Sequence, residues 1–488
     1  MPRWYETTAY RQRHLRLIWP LLLFVVWIAL RSGSQMPFAG VIPRWLVSGL
    51  VVGAVLLHRR RCLFVAVVVF GAFILGAHAW HVAITPVIGT CDGVVRLIDD
   101  PVVSRNGVRS SVEFRGLRYV ATAYGRTGAA LARMGAGEAV SVTARCSTLP
   151  LRDVGYLRPR HVVGRMSITA TGDKLDAGSA LSRSARWARN SVAHGARSMG
   201  EDERALFTGL VIGDDSRQPR SMVAAFRASG LGHLCAVSGQ NVAYVLVAFG
   251  VALRRLRPTV RLAATVSVVG WFVVITRVEP SVVRAGVMAI AAAWNFHRGH
   301  RQAAVDVLAI SSLIALFIDP MLAWSVGFLL SVTASLGLIT LSGPLTRIIA
   351  PRKLATVLAP ALAAQIATAP IALTTFGQLP VIALAANCVA TPLAGVVMLV
   401  GLPLAMVSSY LPDLLARAVM APLEALVRVV WWTATLAEQL SPRGMWNVFV
   451  WMMVALVVVN RARGTMRASG LSDRVVATYV DGRLSGHR

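Results

Sequence analysis

Eleven apolar runs, each near the length of a bilayer crossing, recur along this 488-residue chain: about 17–30, 45–58, 63–87, 231–253, 261–277, 281–296, 303–319, 321–342, 354–375, 379–410 and 443–459. A helix needs about 20 apolar residues to cross the hydrocarbon core. Because lipid offers no hydrogen-bond partners, backbone groups there must be satisfied within the segment. Such a chain therefore folds as a bundle of membrane helices. Composition agrees, with 56% hydrophobic and only 15% charged residues, against about a quarter charged in soluble domains. A water-soluble enzyme, a disordered chain, a collagen-like repeat and a small disulfide scaffold are all excluded.

Charge sets the expected topology. The net charge is +28, and only Lys174 and Lys353 among the 50 basic residues are lysines. That arginine usage, beside abundant Ala, Val and Gly, reads as the mark of a GC-rich bacterial genome, so it is not by itself a phosphate signal. Arg3, Arg11, Arg13 and Arg16 precede the first run and Arg59-Arg60-Arg61 follows the second, which places both segments in the cytoplasm. The first run lacks a cleavable-signal ending and is read as a retained span. A third span then carries the chain out, and residues 89–200 are predicted to be extracytoplasmic. Beyond them, Arg254-Arg255-Arg257, His297-Arg298-His300-Arg301, Arg347-Arg352-Lys353 and Arg461-Arg463-Arg467 follow alternate runs. That parity holds through residue 375. Afterwards 379–410 is broken by Pro392 and Pro403, and 413–440 carries Glu424 and Arg428, which fits either an interfacial helix or a span.

The outer segment alternates polar and apolar residues at 93–98, 108–114, 118–124, 139–147 and about 162–170, with a helical GAALARM at 128–134. Alternation of this kind predicts half-buried strands. Five strands with a helix after the third match the order of an OB-type barrel, a fold used for single-stranded nucleic acid and for sugars. The expected fold is thus a polytopic α-helical integral membrane protein of about 10–12 spans with an inserted extracytoplasmic all-β OB-like domain. Its expected parts are 1–88 (N-terminal membrane helices), 89–172 (the barrel), 173–230 (linker and surface or amphipathic helices), 231–460 (the main membrane domain) and 461–488 (a basic cytoplasmic tail). Residues 89–200 hold 17 Arg/Lys against 8 Asp/Glu. Since long loops escape the positive-inside rule, this excess is not needed for orientation, and an outward basic surface attracts polyanions.

Five cysteines contain no C-x-x-C pair. Cys62, Cys235 and Cys388 lie in apolar stretches and read as buried thiols. Cys91 and Cys146 lie in the outer segment and are predicted to form a disulfide there. No P-loop, H-E-x-x-H cluster or nucleophile elbow is present, and His297 with His300 sits in a basic turn. Neither a metal nor another cofactor is expected, and no enzymatic constellation is recognised: the chain is read as supplying a passage or binding site. A membrane hydrolase built on Ser238 and His233 is the weakest reading, for want of an orienting group.

Polar groups at membrane depth are costly and face the bundle interior or a wet cavity. The densest set is GLGHLCAVSGQNVAYV at 230–245, with His233, Ser238, Gln240 and Asn241 near two glycines, where an interrupted helix would line a cavity. Close packing through Gly and Ser is the alternative. Arg284 lies just inside a span, to pair with Glu279 or to meet a phosphate. Ser331 and Ser335 share one helix face, and Gln365 and Asn387 each precede a proline by five residues. Asp214 belongs to a helical stretch at about 203–229, too short to span, read as a helix pair at the outer surface or partly re-entrant.

Together, GLVIGDDSRQPRSMVAAFRASGLGHLCAVSGQNVAYV (209–245), PSVVRAGVMA (280–289), GFLLSVTASLGLI (327–339) and AAQIATAPIALTTFGQLPVIALAANCVATPL (363–393) strongly resemble the successive blocks of the ComEC competence family, in order. The resemblance covers nearly the whole chain to about residue 460. It implies a bacterial inner-membrane channel carrying single-stranded DNA into the cytoplasm during natural transformation, with both termini cytoplasmic. Asp214, His233, Ser238, Gln240, Asn241, Arg284, Ser331, Gln365 and Asn387 are the candidates for its path. Many members have a histidine in an S-G-L-H-V block where this chain has Asn241. Many also carry a metallo-β-lactamase-like nuclease after the last span, where about 28 residues follow here. The form expected is one without that domain. Expected partners are single-stranded DNA, membrane lipids, a DNA-receptor protein and a cytoplasmic motor or separate nuclease. The alternative is a permease or exporter of a lipid or other anionic substrate on the same scaffold.

Overall fold

The computed structural model describes residues 18–33, 60–104, 107–235, 239–297, 303–349, 351–377, 379–441, 446–454, 456–458 and 460–461. The apolar run at 45–58, Ser238 and the basic tail after Arg461 lie outside them. The chain divides into two compact units. One comprises Met1–Gln218, Ala236–Val332 and Gly395–Val427; the other comprises Pro219–Cys235, Thr333–Ala394 and Arg428–Arg488.

Among the described residues five helices are long and apolar enough to cross a membrane: Val65–Ile84, Pro258–Ile275, Val326–Ile348, Leu354–Phe376 and Ala383–Ser408. Trp19–Ser32, Ser281–Trp294, Ala304–Ile318 and Trp446–Val458 are shorter apolar helices. Their large side chains, such as Leu21, Phe24, Val67 and Phe70, point outward and exposed, a pattern that would aggregate in water and suits lipid. The protein is a polytopic helical membrane protein.

In the first unit, α1 (Ile18–Gly33) crosses α2 (Arg60–Ile84) so closely that a Cβ on Gly76 would lie 2.8 Å from the Leu30 Cα. Small residues at crossings are how membrane helices gain dispersion contact. The β segment follows: β1 (Gly89–Thr90), β2 (Gly93–Leu97), β3 (Val102–Ser104), β4 (Gly107–Phe114), β5 (Leu117–Ala123), α3 (Gly125–Ala132), β6 (Ala139–Thr148), α4 (Leu151–Leu157) and β7 (Val162–Asp176). Strand β2 pairs with β4 and β6, β4 with β5, β5 in parallel with β7, and β7 with β6. That circuit closes on itself, leaving β1 and β3 as short additions. Alternate residues turn inward, so Val95, Leu97, Val112, Phe114, Tyr119, Val142, Ala144, Met166 and Ile168 fill one core. Strand β7 runs to Asp176, past the expected boundary at 172, because Lys174 and Asp176 still pair with Val140 and Ala139.

Cys91 and Cys146 are disulfide-bonded, Cα to Cα 5.9 Å, across a sequence separation of 55. The Cys91 amide also donates to the Ala144 carbonyl at 2.8 Å, so the bond ties the approach to β2 to the fourth strand of the circuit. Replacing both cysteines with serine is expected to lower barrel stability by about 4 kcal/mol, the chain-entropy value for a loop of that length. Thermal unfolding with and without reductant measures it; an unchanged transition, or alkylation of both thiols in non-reduced protein, would refute it.

The barrel is pinned to helix ends. Arg160 pairs with Glu279 at 3.6 Å, His161 with Asp319 at 2.8 Å, and the Arg158 guanidinium lies 5.6 Å from the Trp80 ring centroid. Hence α10 (Pro258–Ile275) ends, α11 (Pro280–His297) begins and α12 (Ala304–Ile318) ends on the barrel side. The Arg254–Arg257 turn lies at the other end of α10, about 27 Å away at 1.5 Å per residue.

After the barrel come α5 (Ala180–Gly195), α6 (Glu201–Ile212), α7 (Arg220–Ala228), α8 (Gly232–Cys235) and α9 (Gly239–Arg254). The sequence predicts the 203–229 stretch as a helix pair at the outer surface or partly re-entrant; every residue of α6 from Ala205 to Ile212 is buried, with Phe207 and Val211 packed on Gly401, so α6 does not lie open at a surface. Helices α13 (Val326–Ile348), α14 (Arg352–Phe376), α15 (Ala383–Ser408) and α16 (Asp413–Leu440) complete the order. Ala416, Met420, Leu423, Val427, Val430, Ala434 and Ala437 form one buried stripe along the 28-residue α16, which is not among the five helices apolar enough to cross.

In the second unit, α13 meets α14 where Gly337 abuts the Ala363 carbonyl. Phe226 stacks on Trp431 at 6.0 Å. Residues 379–381 leave helical geometry, and side chains take over their bonding. Gln365 donates to the Pro380 carbonyl at 3.0 Å, and Asn447 and Trp451 donate to the Leu379 carbonyl at 2.9 and 2.8 Å. Asn447 also accepts from the Val381 amide at 3.1 Å. Freed backbone beside the middle of a membrane helix survives only with such partners.

Candidate functional site

Of the predicted path residues, the first unit brings Arg284 and Ser331 into direct contact. Arg284 is 3% exposed and donates from Nη2 to the Ser331 hydroxyl and from Nη1 to the Met288 sulfur at 3.0 Å. Its Nε is buried without a partner among the described residues. Gly239, the first residue of α9, packs beside it: a Cβ there would lie 3.4 Å from the guanidinium and 2.9 Å from the Ala285 Cβ. A second source of positive potential, the helix N-terminus, thus adjoins the arginine.

Glu279 is not the counter-ion. It pairs with Arg160 of the barrel, and five residues along a helix turn two side chains onto different faces, whereas neighbours are three or four apart. Among the described residues no carboxylate forms an ion pair with Arg284. A buried cation in a membrane helix without its anion is costly; an anionic ligand passing the site would supply what the protein withholds.

Asn241 is buried and donates to the Leu210 carbonyl at 3.0 Å, tying α9 to α6. Gln240, one residue earlier and about 100° around the helix, is exposed and donates to the Tyr244 hydroxyl at 2.7 Å. In the second unit His233 is exposed. The carbonyl oxygen of Gln365 is buried without a partner among the described residues, and Asn387 accepts from Thr391 at 3.1 Å.

Asp214 belongs to a different constellation. Gly213 caps α6 in the left-handed region at φ 72°, its amide bonding the Gly209 carbonyl at 3.0 Å as in an αL ending, and the Asp214 amide reaches back to the Thr208 carbonyl at 3.2 Å. The turn presents the Asp214 carboxylate to Arg277 at 3.6 Å. Arg277 also reaches Asp100 at 3.3 Å, and Asp100 holds Arg189 at 2.9 Å and accepts from the Ala136 amide at 2.9 Å. Arg189 in turn donates to the Ile275 carbonyl at 3.3 Å. Arg277 and Val278 stand at φ 60° and 58°, a strained pair for non-glycine residues that these bonds hold in place. Burial pushes the Asp100 carboxyl up, but Arg189, the Ala136 amide and Arg277 outweigh it and leave it below the usual carboxylate value. For Arg277, burial works against the charge and Asp214 and Asp100 more than restore it.

Sequence reasoning missed Asp100, Arg189 and Arg277. The only local hint was an arginine two residues before Glu279, between two apolar runs. Among the described residues no group of three His, Cys, Asp or Glu side chains is placed to hold a metal.

Apolar helices long enough to cross a membrane, a closed β circuit, and a buried arginine with no carboxylate partner among the described residues define a polytopic helical membrane protein. The competence protein model matches residues 210–463, just over half of the chain, and the chain belongs to that family. No curated protein and no solved structure matches it.

Proposed function

We propose that this protein is an inner-membrane channel passing single-stranded DNA into the cytoplasm during natural transformation. The observation that carries the reading is Arg284: phosphates shed hydration in a pore, and a buried guanidinium lacking a carboxylate replaces that water without trapping the ion in a neutral pair. The barrel supports it. We read its circuit of five strands, with the third and last in parallel and α3 between the third and fourth, as an OB-type arrangement, one much used to grip single strands. Basic turns at the helix ends remote from the barrel support an extracytoplasmic barrel and cytoplasmic termini. We read the protein as a passage and not an enzyme. Lacking a P-loop, it draws its drive from a partner motor or a gradient, receives DNA from a receptor protein, and leaves degradation of the second strand to a separate nuclease.

The test is uptake of labelled DNA in a transformable host whose own family member is replaced by this chain. Transformation restored by the wild-type chain is the expected result. Failure to restore it, with the protein present in the membrane, overturns the reading and leaves export of a lipid or other anion as the activity to assay.

A further inference from the structure

Helix α5 packs by one face and leaves the other open. Ala185, Ala188, Arg189 and Val192 are buried, while Arg183, Trp187, Asn190 and His194 are exposed at spacings of four, three and four, a single stripe along the helix. Trp187 is 48% and Tyr410 72% exposed. Between this stripe and the Ser409–Tyr410 turn lies an open groove of about 540 Å³, within the roughly 300–1,000 Å³ usual for small-ligand sites.

The walls are fixed. Arg186 pairs with the buried Glu138 of the barrel, which also holds Lys174 at 2.8 Å. Gly195 abuts the Ala405 backbone, and the Ser408 hydroxyl donates to the Gly195 carbonyl at 2.9 Å. Arg197 grips Asp413 at 2.9 Å. Two exposed rings, a guanidinium, an amide and an imidazole are therefore held around one trough. A lipid-seeking interfacial helix carries a broad aliphatic face; this stripe has one ring and three hydrogen-bonding groups. Planar π-faces beside a cation suit a ligand with flat unpaired rings and an anionic backbone.

We propose that the α5 groove is a stacking platform for single-stranded nucleic acid, with Trp187 and Tyr410 contacting bases and Arg183 a phosphate. The platform rests on the channel reading and adds to it a defined docking site for the strand. Full-length protein in phosphatidylcholine nanodiscs is titrated into a labelled oligothymidylate. Joint Trp187→Ala and Tyr410→Ala substitution is expected to weaken binding roughly tenfold or more. Joint Trp187→Phe and Tyr410→Phe substitution, which keeps the π-faces, should retain it. Arg183→Ala should reduce the salt slope by about one contact.

An intact Cys91–Cys146 bond and an unchanged elution profile certify folding. Should the alanine pair fail that check, Trp187→Leu with Tyr410→Leu is read with the same expectation. Unchanged affinity in the variants, with wild-type binding intact, overturns the platform and spares the channel. A wild-type chain that neither binds the strand nor supports uptake overturns both. Altered dependence on phosphatidylglycerol with unchanged oligonucleotide affinity assigns the groove to a lipid headgroup and also overturns the platform.

Discussion

Arg284→Met is expected to reduce transformation by about a hundredfold while leaving the folded protein as stable as before, or more so. The size follows from losing a charged contact worth about 3 kcal/mol in a low-dielectric interior, a factor near a hundred. The sign on stability follows from the missing carboxylate: removing an uncompensated buried charge relieves a desolvation penalty instead of orphaning a partner. Among the described residues, the Ser331 hydroxyl and the Met288 sulfur lose their hydrogen-bond donor. Arg284→Lys, which keeps the charge and loses the planar fork, should fall between. Transformation frequency and thermal unfolding of the same variants separate the two effects. Near-normal transformation in Arg284→Met removes the arginine from the path, and a large loss of stability makes it a structural residue.

The second large effect is expected at Asp100. Asp100→Asn leaves Arg189 and Arg277 facing each other without the carboxylate between them, at a cost of about 3 kcal/mol, the low end for breaking a buried pair. The pH dependence has a definite sign. The folded-state value of Asp100 is depressed, so its contribution is fully present above the unfolded value, 3.8, and is lost as pH falls through the folded value. Wild-type docking of the barrel should therefore loosen in acid below about pH 4, and Asp100→Asn should flatten that dependence. Hydrogen exchange at residues 275–280 reads both. If Asp100→Asn with Arg189→Gln costs as much as the two single changes summed, the residues are uncoupled and the network has no role in docking.

Much of this was legible beforehand, for identifiable reasons. Strands β4, β5 and β6 alternate inward and outward residues, and alternation survives in any context that buries one face; their observed limits lie within a residue or so of expectation. The end of β7 was not legible, since Gly172 and Asp173 read as turn residues and only pairing with β6 keeps them extended. Strands of two and three residues, β1 and β3, have no period to detect. Helix α6 is buried from Ala205 to Ile212, yet its apolar part is too short to span, and length alone did not reveal its burial. At the candidate site, chemistry on one helix was visible and its partners were not. Arg284 stood out as an arginine in an apolar run, but adjacency favoured Glu279 over Ser331, 47 residues away. Arg277 and Asp100 lie 177 residues apart, a distance across which one sequence carries no pairing signal.

The parallel contact between Leu117–Ala123 and Val162–Asp176 dictates an assembly order. An antiparallel meander can zip up hairpin by hairpin as it is made, but a parallel pair waits for a crossover. Here the seam joins residues about 45 apart, Arg118 with Val162 and Ala123 with Ile168, so the loop-closure entropy of that length is met before the pairing forms. Helices α1 and α2 precede it and are available to the membrane while the barrel is still an open ribbon with bare edges. Biogenesis is thus exposed to a window of misassembly that begins at β2 and ends at β7. Chaperones or thiol oxidants acting on this chain would have their effect inside that window.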